Sequence, residues 1–143
     1  MPDTTPRPIT HPAHWLFLLC CLGYSVTLCT ATENDSRQRD RVVNFERDIR
    51  PLLRRHCYTC HSADIQEGGL RLDRRDRAFA GGDRGRVIVP RNVENSRLVQ
   101  LVKGNDPRGQ RMPPKGEGHP LSMAEIKLLE MWVDQGATWP RNA

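Results

Sequence analysis

The sequence predicts an all-α domain, with a helix near each end of its ordered part and a loop-rich middle. Apolar residues recur at helical spacing just before a cysteine pair and again close to the C-terminus. Between those stretches, residues 62–111 break into short elements separated by turns. No internal repeat or second domain is marked, so the 143 residues read as one domain behind a processing segment.

Residues 1–31 read as an export signal. Arg7, His11 and His14 sit among prolines, the apolar run Trp15–Cys29 follows, and Cys29 and Ala31 have the spacing of a small-residue cleavage site. Cleavage is expected after Ala31. The competing reading, an uncleaved anchor, rests on a run at the lower edge of spanning length that Gly23, Ser25 and Thr27 dilute. Residues 32–41 are polar and charged and read as a flexible leader, with the domain over 42–143. Of the five cysteines, Cys20, Cys21 and Cys29 fall in the signal, so the exported part keeps Cys57 and Cys60 and has no disulfide framework. With 37% hydrophobic and 6% aromatic residues, a domain of this size is one that a bound metal or cofactor helps to stabilise.

Asn44 is a competent N-cap, and Phe45, Ile49, Leu52 and Leu53 then lie on one helical face that leads into the cysteines. Pro51 removes a hydrogen bond there and predicts a helix bent or tightened at its end. In the middle, "GGLRLD" and "RVIVP" read as extended pieces, with a one- or two-turn helix capped by Asp73 between them. Asn95 or Ser96 caps "RLVQLVKG", which Gly104 closes. "NDPRGQRMPPKGEGHP" holds too many prolines and glycines for a regular element. The last helix is the best specified. Ser122 and Glu125 form a capping box, Leu121 and Ile126 a hydrophobic staple, Ile126, Leu129, Trp132 and Val133 the buried face, and Gly136 the stop.

Charge works mainly by exclusion. Setting aside Arg7 and Asp3 of the signal leaves the whole chain's net +5 unchanged. Many arginines stand beside acids, as in "FERDIRP" and "RLDRRDRAF", and no basic run is interleaved with aromatics. That composition describes a solvated mixed-sign surface rather than a nucleic-acid interface. It leaves room for an acidic partner protein or for the acidic substituents of a cofactor.

Cys57, Cys60 and His61 spell C-x-x-C-H, the attachment pattern of c-type haem. Two thiols at that spacing add across the two vinyl groups of one porphyrin, and the next histidine serves as proximal iron ligand. A structural zinc needs four ligands, and His56 and His119 are the further soft candidates; His56 abuts Cys57 and shares a metal with it poorly. A thioredoxin-like redox pair lacks its βαβ surroundings. The sixth iron position has Met112 as preferred candidate, because it sits in the proline-stiffened "RMPPKG" with no helical face to fill. His119 is the runner-up. Met131 reads as core packing and Met123 as an early helical residue.

The blocks "FERDIRPLLRRHCYTCHSAD", "EGGLRLDRRDRAFAGGDRGRVIVP", "SRLVQLVKG", "RMPPKG" and "LSMAEIKLLEMWVDQGATWP" together resemble the planctomycete-type cytochrome c domain, within the class I cytochrome c superfamily, over nearly all of Val43 to Pro140. The resemblance implies a class I cytochrome c fold, with N- and C-terminal helices around a covalently bound haem on Cys57 and Cys60. It implies His61 and Met112 as axial ligands. The expected function is that of an exported single-haem c-type cytochrome of the periplasm or cell surface, moving one electron at a time and catalysing nothing itself. Its expected partners are redox proteins, with membrane contact only where the N-terminal segment is retained. The alternative is a non-catalytic haem sensor, or a docking module for a larger extracellular enzyme system.

Overall fold

Asn44 starts the first helix as its sequence suggests: its side chain accepts from the Arg47 N–H at 3.0 Å, and the Asp48 carboxylate reaches back to the Asn44 N–H at 2.9 Å. The computed structural model describes residues 41–141. The export signal expected over residues 1–31, and the leader apart from Arg41, lie outside the described residues. A π-helical turn, Phe45–Ile49, runs directly into helix α1, Arg50–His56. The disturbance at Pro51 is therefore a widening upstream of the proline rather than a tightening at the helix end. The Arg50 N–H bonds to Phe45 O, five residues back, which places Pro51 in the first turn of α1, where its missing N–H has no helical partner to lose.

Helix α2, Arg75–Ala80, starts without a side-chain cap. Asp73 does not cap it as expected, because its carboxylate takes the Arg71 guanidinium through two hydrogen bonds, at 2.9 and 2.6 Å, and a bidentate charged pair outcompetes a cap. The two expected extended pieces form no strand among the described residues, where β-pairing is confined to the isolated bridges His61–Gln66 and Gly82–Gly85. Residues 87–89 bond instead to the start of helix α3, Arg97–Lys103: Leu98 N–H to Val87 O at 2.9 Å, and Val89 N–H to Ser96 Oγ at 2.9 Å. Ser96 occupies the N-cap position of α3, yet its buried hydroxyl is spent on Val89 and Asn92, so neither Ser96 nor Asn95 caps through its side chain. Gly104 closes α3 in the left-handed conformation.

Helix α4, Met123–Asp134, has the capping box read from sequence, with Ser122 and Glu125 bonded reciprocally. Leu121 and Ile126 are both buried, as a staple requires. The turn Phe45–Ile49 and α3 each pack on α4. Phe45 stacks on Trp139 at 3.9 Å between ring centroids and leans on Trp132 at 6.0 Å, while Trp132 donates to Thr138 O at 3.0 Å. Each such aromatic pair adds about 0.5–1.5 kcal/mol beyond the area it buries. This aromatic centre joins the two ends of the described chain and leaves the loop-rich middle to build the site.

Candidate functional site

The C-terminal end of α1 makes the turn that presents the cysteines. Leu53 O accepts the N–H groups of both Cys57 and Tyr58, at 2.8 and 3.0 Å, and Cys57 O accepts those of Cys60 and His61, at 3.2 and 2.9 Å. His61 is then fixed from its far side by its bridge to Gln66 and by the Leu72 N–H bond to His61 O at 2.8 Å. Two thiols and an imidazole thus come from one closed turn. None of their positions depends on a long loop.

They face a cavity of about 820 Å³, lined by Cys57, Cys60 and His61 on one side and by Met112 and His119 from the loop between α3 and α4. Its volume suits a large cofactor, since such sites span roughly 300–1,000 Å³. Leu72, Leu98, Leu101 and Val102 supply apolar wall. Met112 is half-buried and held by its N–H to Leu101 O at 3.0 Å, whereas His119 is exposed. Met131 is buried in the core, and Met123 is exposed at the start of α4.

Electrostatics narrows the chemistry. Burial, with the neighbouring Cys60 adding to it, pushes the Cys57 thiol up to about 12. A thiol–disulfide catalyst needs the opposite, a readily formed thiolate, and the two cysteines are not bonded to each other. Among the described residues no three His, Cys, Asp or Glu side chains group so as to hold a metal ion. His61 fits a haem iron. Burial lowers its pKa against the opposing pull of the Leu70 and Glu67 backbone and the Glu67 charge, so the ring is held towards its neutral, ligating form. Its Nδ1 is buried with no hydrogen-bond partner among the described residues.

Two features of the site were not read from sequence. Gly82 packs so closely that a Cβ there would collide with Gly68 O, and the Asp83 N–H bonds to the same carbonyl at 2.8 Å, so the two glycine-rich segments form cavity wall backbone against backbone. Arg84 and Arg97, also at the cavity, share the Gln110 side-chain oxygen at 2.6 and 2.7 Å, and Arg97 further pairs with Asp106 at 2.9 Å. The glycines were legible only as turn residues. The Arg–Gln–Asp cluster joins three segments and has no local signature.

Residues 57–116 match the family described as Planctomycete cytochrome C. Over those residues the chain is similar to a planctomycete cytochrome c domain. The match takes in Cys57, Cys60, His61 and Met112, and a cytochrome c domain implies covalently bound haem. The chain is also similar to hydrazine synthase subunit alpha of Kuenenia stuttgartiensis, 29% identical over 144 residues, which covers 82% of this chain and 18% of that protein. The chain thus spans less than a fifth of that relative's length. No solved structure matches it significantly.

Proposed function

We propose that the chain is an exported c-type cytochrome with a class I fold, carrying a single haem and passing one electron at a time without catalysis of its own. The observation that carries this reading is the convergence of Cys57, Cys60 and His61 with Met112, from separate segments, on one cavity. Cys57 and Cys60 would hold the haem through thioethers, with His61 and Met112 as the axial ligands. When bound, haem supplies a one-electron couple whose potential a methionine ligand raises relative to a second histidine. The chain's part is to bind and to exclude water: the closed turn fixes the two sulfurs and the ring, the apolar wall lowers the local dielectric, and the Leu101 carbonyl anchors Met112. The test is the mass of denatured protein from cells able to mature c-type cytochromes. One haem retained on the processed chain is expected, and an apoprotein with two free thiols would overturn the reading.

A second reading is favoured by the relative, whose name marks it as an enzyme subunit and of which this chain spans only 18%. On that reading the haem domain is a sensor or a docking module for a larger extracellular enzyme. Coordination separates the two. A six-coordinate iron with fast electron exchange supports the carrier, and ready carbon monoxide binding at neutral pH supports the module.

A further inference from the structure

His56, the residue before Cys57, joins three parts of the molecule. It ends α1, lines the cavity, and its side chain is 6% exposed. Its Nδ1 lies 3.1 Å from the backbone carbonyl oxygen of His119, and its Nε2 lies 3.1 Å from Glu125 Oε1. Carbonyl and carboxylate oxygens only accept, so the ring serves both partners only by donating from both nitrogens. Glu125 is not the donor of that pair. The Ser122 N–H first, then the Ser122 hydroxyl and His56 itself, hold its carboxyl down at about 2. Arg55 approaches the same oxygen at 3.4 Å.

The segment that this ring grips is the one that carries Met112. Its near end is anchored twice, by the Met112 N–H to Leu101 O at 3.0 Å and by the Arg97–Asp106 pair. Past Met112 the stretch 113–120 is largely exposed, and its Glu117 N–H bond to Pro114 O at 3.0 Å is internal. The His119 carbonyl ties this stretch back to the end of α1.

We propose that His56 is a positioning residue of the haem site: it pins the far end of the 105–121 segment beside the cysteine turn and so fixes the reach of Met112 towards the group that Cys57, Cys60 and His61 hold. The proposal rests on the haem reading above. It assigns His119 a role through its backbone carbonyl, and none through its side chain.

The test uses the full-length chain from cells that attach c-type haem, as wild type, His56→Phe, His56→Lys and His119→Ala. His56→Phe keeps a ring without donors, and His56→Lys restores an N–H donor should the phenylalanine variant fold poorly. Hydrogen exchange over residues 113–121 reads the pinning, and the near-infrared methionine-to-iron band with an imidazole titration reads its effect on the iron. His56→Phe should speed exchange in that segment, weaken the band and tighten imidazole binding about tenfold or more, the scale of a lost hydrogen bond to a charged group. His56→Lys should recover part of each, and His119→Ala should exchange like wild type. Wild-type exchange in His56→Phe overturns the proposal whatever the iron ligands are, as does faster exchange with band and imidazole affinity unchanged. Fast exchange in His56→Phe beside a wild type that lacks the band overturns the Met112 assignment while supporting the pinning.

Discussion

Cys57 and Cys60 sit on a turn already closed by backbone bonds from Cys60 and His61 to Cys57 O, so truncating one sulfur leaves the other correctly placed. Cys57→Ala or Cys60→Ala should retain haem through one thioether at reduced yield, and the double variant should lose it on denaturation, as mass spectrometry of the denatured protein will show. The distal ligand is the more exposed assignment. Met112→Ala should abolish the methionine-to-iron band and lower the potential, because the sixth site opens or admits a stronger donor. Met123→Leu and Met131→Leu should cost under about 1.5 kcal/mol and leave the band in place. If His119→Ala erases the spectrum and Met112→Ala does not, the site is bis-histidine. The motif was readable at this scale because attachment chemistry is local in sequence. The choice between Met112 and His119 was not, since both reach the same cavity and only the exposure of one and the anchoring of the other separate them.

At the level of elements, α4 depends on Glu125, which closes the capping box and accepts from His56. Its carboxyl sits at about 2 against an ordinary 4.5, chiefly through the Ser122 N–H. A depressed carboxylate contributes stability that is full above the unfolded value and is lost as pH falls from about 4.5 towards about 2. Urea unfolding of wild type should therefore weaken through that window, and Glu125→Gln should flatten the dependence while lowering stability at neutral pH. Ser122→Ala should cost about 1 kcal/mol at pH 7. Helices α1 and α4 were legible because period and caps are contiguous in sequence. Asp73 and Ser96 misled because each had a better partner: Arg71 for the first, and Val89 with Asn92 for the second. The stretches around Leu70 and Val87 carry strand-like composition. Residues 87–89 bond to the start of α3 rather than to a strand, and composition does not report which neighbour a segment will meet.

Across the described residues, the aromatic centre formed by Phe45, Trp132 and Trp139 joins the first helical turn to the last helix, while the cavity wall depends on Gly82 lying against the Gly68 carbonyl. Gly82→Ala should force those segments apart, cost about 1–3 kcal/mol and lower haem loading, with loading measured against that of the Cys57→Ala variant. The carrier reading adds a long-range consequence. The chain's net charge of +5 survives removal of residues 1–31, since Arg7 and Asp3 cancel, and a mature N-terminus near Thr32, read by N-terminal sequencing, would establish that removal. A domain so charged attracts an acidic redox partner over a distance set by the Debye length, which contracts from about 30 Å at 0.01 M salt to about 8 Å at 0.15 M. Electron exchange with an acidic protein should therefore slow by about tenfold or more across that range, measured by stopped-flow. A rate indifferent to salt would mean that this net charge steers nothing, and would shift the weight to the docking-module reading, in which association is built into a larger assembly instead of being won by diffusion.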